Sequence, residues 1–322
     1  MDLDSLSRDE RNDVLAQMAD LFYNQQATQI DIAKRFDTTR FKVAKMLQEA
    51  RDEQVVEIKV NYSSERDRAM ERELVVRFGL CSATVVDTKY AAFIDGLTQI
   101  GQAGARRVGE LLSTYSEPAL GLTWGKSIQA IVDVLDQSGT GGLSAVQLTG
   151  NFSSARPTSE GHELVSRAAA SRHGTAFYFN SPLYINSESV REGLCQEPDI
   201  RTTLERAKSL DVVLTGVGGD ASLPALATAF SAYVTEADRE AARTSPGSIY
   251  GYMLDEQGRA ADIELNRKLM AVPLEDILRT PHRIGVVNGR NKAKVAAIVA
   301  KSGLVNEIVT NSETASLMLA YA

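Results

Sequence analysis

The sequence has few of the residues that build metal sites and disulfide frameworks. Its 322 residues include two cysteines, Cys81 and Cys195, and three histidines, His162, His173 and His282. Two cysteines cannot form a framework of bridges or a thiolate cluster, and scattered histidines do not make a histidine-based metal site. We therefore expect reduced thiols, no metal ion and no cofactor.

Long apolar runs are also missing. No stretch approaches the ~20 apolar residues that a membrane-spanning helix requires, and the acidic N-terminal sequence MDLDSLSRDE does not resemble a signal peptide. Hydrophobic residues make up 43% of the chain, which is enough for a packed core. The length suggests roughly two domains of ~150 residues each. We expect a cytoplasmic protein with no membrane partner.

The chain has no overall basic charge. It carries 35 lysines and arginines against 42 aspartates and glutamates, so its formal net charge is −7. A chain that repels phosphate overall can bind nucleic acid only through a focused basic patch. Residues 34–51 form such a patch, because they contain six basic residues and only two acidic ones.

Residues 28–50 have the pattern of two short helices joined by a turn. Thr28 and Thr39 can each cap the first turn of a helix, and Asp37 in the turn is expected to adopt the left-handed conformation. The apolar positions of both helices fall on one face: Ile32, Ala33, Phe36, Val43, Met46, Leu47 and Ala50. This pattern predicts a helix-turn-helix whose second helix enters the major groove of DNA.

The expected DNA contacts divide by position. Side chains at the start of the recognition helix, and one turn further on, can reach base edges: Thr39, Arg40, Phe41, Lys42 and Lys45. Other cations are expected to contact phosphates, which position the protein without reading sequence: Lys34, Arg35 and Arg51.

The sequence around this motif predicts a winged domain. Residues 8–24 have apolar positions at helical spacing, which indicates a supporting helix, and residues 54–61 are typical of a strand. Residues 63–79 predict a helix that ends at Gly79 and leads into the next domain. We expect a winged helix-turn-helix DNA-binding domain over residues 1–61, a linker helix over 62–79 and an effector domain over 80–322.

Beyond residue 80, strand-like runs alternate with helical patterns. Predicted strands cover residues 82–87, 119–123, 144–148, 175–179, 211–215, 282–287 and 307–309. Predicted helices cover residues 94–112, 127–135, 162–172, 200–210, 223–230, 292–301 and 314–319. Residues 249–258 predict a β-hairpin. This alternation predicts an α/β, doubly wound, Rossmann-like domain with a parallel sheet and helices on both faces.

Four glycine-bearing segments follow predicted strands. In doubly wound sheets ligands bind at the carboxyl ends of strands, where backbone N–H groups suit an anion. None matches a P-loop or a dinucleotide fingerprint, and each alone is typical of ordinary turns. Together they predict a pocket for a sugar or sugar phosphate, lined by Gly121, Thr123, Trp124, Gly125, Lys126, Ser127, Gln147, Thr149, Gly150, Asn151, Gly218, Gly289 and Lys292.

These segments, taken in order, resemble a known family. The runs LFYNQQATQIDIAKRFDTTRFKVAKMLQEARDEQVVEIKV, ALGLTWGKSI, VQLTGN, DVVLTGVGG, IYGYMLDEQG and GLVNEIVTN are similar to the SorC/DeoR-type sugar-binding transcriptional regulators of bacteria. The resemblance covers nearly the whole chain. It implies a winged helix-turn-helix joined to a domain related to sugar-phosphate isomerases, a homo-oligomer (dimer or tetramer), a double-stranded DNA operator, and a sugar, polyol or sugar-phosphate effector.

Two function classes compete at this point. A regulator requires only binding, whereas a sugar-phosphate isomerase with an appended helix-turn-helix requires an acid–base pair beside the substrate carbonyl. Acid–base candidates near the glycine turns are Glu160, His162, Glu163 and Asp220, and capping or surface roles explain each. A plain scaffold would leave the basic recognition helix unexplained. We expect a DNA-binding regulator of a carbohydrate operon and no catalytic residues.

Overall fold

The computed structural model describes residues 7–53, 55–56, 66–87, 96–135, 142–151, 161–219, 228 and 230–322. The chain forms two compact units, Met1–Ser63 and Ser64–Ala322. Within the described residues no helix is both long and apolar enough to cross a membrane.

The first unit contains three helices packed around one small core. They are α1 (Arg8–Ala19), which continues as a π-helical turn over Asp20–Asn24, α2 (Gln29–Arg35) and α3 (Arg40–Asp52). Its buried side chains include those predicted from the helical spacing: Val14, Leu15, Met18, Leu21, Ile32, Ala33, Val43, Met46, Leu47 and Ala50. Phe22 and Phe36 are partly buried against this core.

Both predicted helix caps are present. The hydroxyl oxygen of Thr28 accepts the backbone N–H of Asp31 at 3.2 Å, and that of Thr39 accepts the backbone N–H of Lys42 at 3.3 Å. Asp37, between the helices, has φ +50°, which confirms the predicted left-handed turn. The predicted wing strand, residues 54–61, lies outside the described residues except for positions 55 and 56.

The second unit is built on a parallel sheet with seven strands among the described residues, extended by a short hairpin. The strands are β1 (Ser82–Val86), β2 (Ala119–Leu122), β3 (Ser144–Gln147), β4 (Thr175–Phe177), β5 (Val212–Gly219), β6 (Gly247–Ile249), β7 (Tyr252–Met253), β8 (His282–Val286) and β9 (Glu307–Asn311). The strand order is β1-β9-β8-β5-β2-β3-β4, and each neighbouring pair runs parallel. The two short strands β6 and β7 extend the sheet from the end of β5 as an antiparallel hairpin.

Helices cover both faces of this sheet, as predicted for a doubly wound domain. They are α4 (Arg68–Phe78), α5 (Gly96–Leu112), α6 (Lys126–Val132), α7 (Gly161–Ala170), α8 (Glu188–Gln196), α9 (Pro198–Ala207), α10 (Glu236–Thr244), α11 (Glu264–Arg267), α12 (Leu274–Leu278), α13 (Ala293–Lys301) and α14 (Ser312–Leu319). Neighbouring strand residues point to opposite faces. In β5, Val213 lies in the core shared with α4, α9, α13 and α14, whereas Val212 and Leu214 lie in the core shared with α5, α6 and α7.

The structure corrects the predicted end of β5. The predicted strand ends at residue 215, with a glycine-bearing segment after it, but β5 continues to Gly219, because Val217–Gly219 pairs with β6. Gly218 therefore lies in a strand opposite Ser248. A Cβ at Gly247 would stand 2.1 Å from the Gly218 carbonyl oxygen, so this pairing requires glycine at position 247.

The predicted turn at residues 256–258 is present: the antiparallel bridge between Leu254 and Ala260 closes it, and the Asp255 N–H donates to the carbonyl oxygen of Arg259 at 2.9 Å. A second, tighter turn was not predicted. It joins β6 to β7 through Tyr250 and Gly251, which have φ +55° and +88°. Tyr250 is buried, and its hydroxyl group donates to the carbonyl oxygen of Leu304 at 2.9 Å. Four helices, α8, α10, α11 and α12, were not predicted, and most of the predicted 223–230 helix lies outside the described residues.

A buried carboxylate lies at the amino end of the sheet, where β9 begins. Glu307 is 2% exposed and accepts two hydrogen bonds from Arg107 of α5, at 2.8 and 3.1 Å. The Nδ1 atom of His282 lies 2.7 Å from the same carboxylate. The hydrogen bond to Glu307 raises the pKa of Arg107. Arg107 and Glu307 therefore form a tight ion pair.

Candidate DNA-binding surface and effector site

The outer surface of α3 is cationic around one exposed aromatic ring. Arg40 and Lys45 are exposed, Lys42 is half-buried, and Phe41 is 86% exposed. Arg40 Nε donates to the side-chain oxygen of Gln29 on α2 at 3.4 Å. The predicted phosphate contacts Lys34 and Arg35 are also exposed. Arg51, the third predicted phosphate contact, is exposed near the end of α3. The eight predicted DNA-binding residues thus lie on α2, on α3 and, for Thr39, at the N-cap of α3.

Glu49, an acidic residue of the patch, is turned toward α1. Its carboxylate pairs with the guanidinium group of Arg11, with Nη2 at 2.7 Å from Oε2. The hydrogen bond from Arg11 lowers the pKa of Glu49. The ion pair joins α1 to α3 and neutralises this carboxylate away from the exposed side of the recognition helix.

In the second unit, the order in which successive strands are added to the sheet reverses between β2 and β5. The chain proceeds from β2 to β3 on one side and from β5 to β8 on the other, although β2 and β5 are hydrogen-bonded neighbours. This is a topological switch point, where doubly wound sheets bind ligands at the carboxyl ends of the strands. The Thr123 hydroxyl group donates to Thr215 Oγ1 at 3.2 Å, and the Gly216 N–H donates to Thr123 Oγ1 at 3.4 Å.

The 121–127 segment has a buried first half, which packs in the core, and a more exposed second half, which begins α6. Gly121 lies inside β2, where a Cβ would stand 2.7 Å from Leu210 and 2.9 Å from Leu148, so packing accounts for this glycine. Trp124 packs beside a buried cluster of aromatic and aliphatic side chains that includes Tyr184. Gly125, at φ +124°, precedes α6, and its followers Lys126 and Ser127 are exposed and half-buried, respectively.

Gln147 holds the end of β3 in place. Its amide nitrogen donates to the Thr149 carbonyl oxygen at 2.8 Å and to Asn151 Oδ1 at 2.7 Å, and its amide oxygen accepts the Phe179 N–H at 3.1 Å. These bonds use both donors of the buried Gln147 amide. Gln147 therefore orients Asn151, which is half-exposed. Gly150 is required for packing, because a Cβ there would stand 2.3 Å from the Pro182 carbonyl oxygen.

Lys292 reaches the same edge from the turn after β8. Gly289 has φ +122° and donates its N–H to Thr314 Oγ1 at 3.2 Å. The stem of Lys292 passes Gly219 at the end of β5, where a Cβ would lie 3.3 Å from Lys292 Cγ. Burial lowers the pKa of Lys292, and no hydrogen bond or ion pair of its ammonium group is found among the described residues.

The switch point contains a threonine that the sequence reasoning did not select. Thr215 was recognised as the end of a predicted strand, but its contact with Thr123 depends on β2 and β5 being neighbours. Strand order is not encoded in local periodicity, so no signal in the sequence marked this pair.

Of the four acid–base candidates, His162 and Glu163 lie within the described residues, and each has a local partner. The imidazole ring of His162 stacks on Tyr178, with ring centroids 4.0 Å apart and an interplanar angle of 12°. Glu163 forms an ion pair with Arg167 at 3.8 Å. Glu160 and Asp220 lie outside the described residues. In the part of the chain that the structure describes, no three His, Cys, Asp or Glu side chains are grouped to hold a metal ion.

Comparison with known proteins assigns the family. Residues 62–320 match the family model described as "Putative sugar-binding domain". The chain belongs to the sugar-binding transcriptional regulators of the SorC/DeoR type. Its relatives include the sorbitol operon regulator of Klebsiella pneumoniae, 27% identical over 95% of this chain and 97% of that protein. The transcriptional regulator LsrR of the same species is 27% identical over 96% of this chain and 94% of that protein.

Solved structures support the same assignment for this SorC/DeoR-type regulator. The crystal structure of full-length SorC from Klebsiella pneumoniae covers 97% of this chain and 100% of its own, with 26% identity and a TM-score of 0.71. A DeoR family regulator from Listeria monocytogenes shares the fold over 78% of this chain and 98% of its own, with 20% identity and a TM-score of 0.68. The predicted fold class and the predicted general function, a sugar-responsive transcriptional regulator, are confirmed.

Proposed function

We propose that the protein binds an operator of a carbohydrate catabolic operon through α3, and that an effector at the carboxyl ends of β2 and β5 changes its affinity for that operator. In this proposal residues 1–61 bind DNA, residues 62–79 join the domains and residues 80–322 bind the effector. The protein acts in the cytoplasm, where bacterial operators are found. The half-buried Lys292 at the switch point is the observation that carries the effector assignment.

The proposed DNA contacts are made by side chains of the first unit that are exposed or half-buried. Base edges in the major groove are contacted by five residues at the start of α3: Thr39, Arg40, Phe41, Lys42 and Lys45. Lys34 and Arg35 on α2 bind phosphates and set the register. Two copies place two recognition helices on half-sites one helical turn, or a multiple of it, apart, so we propose a homo-oligomer, either a dimer or a tetramer.

The effector is proposed to be a sugar, polyol or sugar phosphate. A half-buried ammonium group that lacks a described carboxylate partner favours an anionic group, such as a phosphate, beside Lys292. Hydroxyl groups of the ligand can bond to Thr123, Ser127 and Asn151, and Lys126 supplies a second, more exposed cation. Gln147 acts indirectly, because its amide group orients the side chain of Asn151. The glycines act by allowing the backbone to pack closely.

Ligand and DNA must be coupled through two arrangements of the subunits. A ligand shifts such an equilibrium only by the difference between its affinities for the two arrangements. The sorbitol operon regulator among the relatives supports a regulator whose effector derives from a carbohydrate. The relatives named as regulators support a site that binds its ligand without converting it.

A thermal-shift screen with sugars, polyols and their phosphates tests the effector assignment. A ligand at 100 times its dissociation constant stabilises the folded protein by about 2.7 kcal/mol, and we expect a phosphorylated sugar to give the largest shift. Lys292→Ala should remove that shift, whereas the control Lys294→Ala, an exposed lysine of α13, should retain it. Equal shifts for both variants would contradict the assignment. Turnover of the ligand that requires His162 would instead favour an isomerase.

A further inference from the structure

Phe41 occupies the outermost line of the recognition helix. At 100° per residue, position 41 lies opposite the buried face formed by Val43, Met46 and Ala50. Lys45 and Gln48, four and seven residues further on, lie on the same outer line. At 86%, Phe41 is the most exposed large hydrophobic side chain among the described residues.

The neighbours of Phe41 give this exposed ring a direction. Arg40 and Lys42 are 100° away on its two sides, so cations flank the ring. At the other end of the outer line, Asp52 accepts a hydrogen bond from Gln48 at 2.8 Å, and its negative charge disfavours phosphate there. The electrostatics therefore favour contact with a polyanion through the first two turns of α3, with Phe41 in front.

Groove dimensions determine what the ring can reach. An α-helix with its side chains is about 10–12 Å across, which fits the major groove at about 12 Å but not the minor groove at about 6 Å. In the major groove a base pair presents donors, acceptors and one apolar group, the 5-methyl group of thymine. A phenyl ring forms no hydrogen bond with the polar groups, so the methyl group is its matching partner.

We propose that Phe41 is a specificity-determining residue that reads the 5-methyl group of one thymine in each operator half-site. This inference rests on the proposed function, because it assigns a chemical target to a side chain of the same DNA-binding surface. Arg40, Lys42 and Lys45 supply attraction and polar contacts around that methyl group, whereas Phe41 makes the apolar contact.

Removing the 5-methyl group of single thymines in the DNA tests the proposal. The probe is a duplex enriched from a random pool by the full-length wild-type protein, in which each thymine is replaced in turn by deoxyuridine, which lacks the methyl group. Fluorescence anisotropy then gives the dissociation constant. We expect one position per half-site where the replacement weakens binding about fourfold, the value for losing one buried methyl group.

Protein variants complete the cycle. Phe41→Ala should weaken binding to the thymine duplex by at least the same factor and should be insensitive to deoxyuridine at that position. The exposed ring contributes little to folding, so Phe41→Ala should fold normally. Val76→Ala removes another exposed apolar side chain, 81% exposed in the second unit, and should behave like the wild type.

Other outcomes would overturn the proposal in distinguishable ways. If Phe41→Ala keeps the full deoxyuridine penalty, or if the wild type shows no thymine dependence, Phe41 does not read the methyl group, while operator binding stands. If Phe41→Ala instead changes the oligomer mass in sedimentation, the ring contacts a second copy of the chain. If the wild type enriches no duplex, the proposed DNA-binding function fails together with the inference.

Discussion

The two units use positive charge in opposite ways. On α2 and α3 the cations are numerous and mostly exposed, whereas Lys292, at the proposed effector edge, is half-buried and has a pKa that burial lowers. Exposed charges act over a Debye length and are screened by salt, while a desolvated charge acts at short range and is screened much less. The first unit is therefore suited to attracting a long polyanion, and the second to selecting a small ligand.

Salt should separate the two surfaces most strongly. If Lys34, Arg35 and Arg51 of two copies contact about six phosphates, operator affinity should fall about 10³-fold between 50 and 200 mM salt. Effector affinity should change far less over the same range, because Lys292 is partly shielded from solvent. Anisotropy titrations of DNA and calorimetric titrations of effector measure the two slopes, and equal slopes would remove the distinction.

Removing the ion-paired Arg107 should cost more stability than removing Lys292. Arg107→Met would leave the carboxylate of Glu307 buried beside His282 alone, and should cost about 3 kcal/mol of unfolding free energy. Lys292→Met removes a half-buried charge whose burial already disfavours its protonated form, so stability should change by less than about 1 kcal/mol. Urea unfolding of the two variants checks this; a similar loss in both would mean that Lys292 has a structural partner.

The pH dependence of effector binding should show the smallest effect. Lys292 binds an anion only when protonated, and burial lowers its pKa below the ordinary lysine value. Affinity for a sugar phosphate should therefore fall, by about tenfold, as pH rises through that lowered pKa, before exposed lysines lose their protons. Calorimetry from pH 7 upward measures the fall. An uncharged polyol should show no such decrease, and a phosphate ligand without it would exclude contact with Lys292.

Local chemistry made the first unit predictable. Thr28, Thr39 and Asp37 act on backbone groups within a few residues, and the buried positions of α3 follow from helical spacing alone. Helix α10 carried an equally local signal that was missed, because Thr235 and Asp238 form a reciprocal capping box. Its polar composition hid the apolar periodicity on which the other helices were recognised.

The effector edge depended on contacts between distant residues. The glycine-bearing segments were placed near strand ends, but Gly121 and Gly150 serve close packing. Gly218 lies inside β5, and its partner strand begins 29 residues later at Gly247. Which strands lie side by side determines that Thr123 meets Thr215 and that Lys292 crosses the end of β5. Periodicity does not contain this information. The segments of the candidate site could therefore be predicted from the sequence, but the contacts between them could not.

The anchored tyrosine of the β6–β7 hairpin has a consequence for ligand size. Swinging this hairpin away from β5 would expose the ring of Tyr250, at roughly 4 kcal/mol, and break its bond to Leu304. The hairpin is therefore held firmly against the carboxyl end of β5. If the proposed effector binds at that edge, we expect the hairpin to limit the length of the ligand, because it does not swing open at low cost.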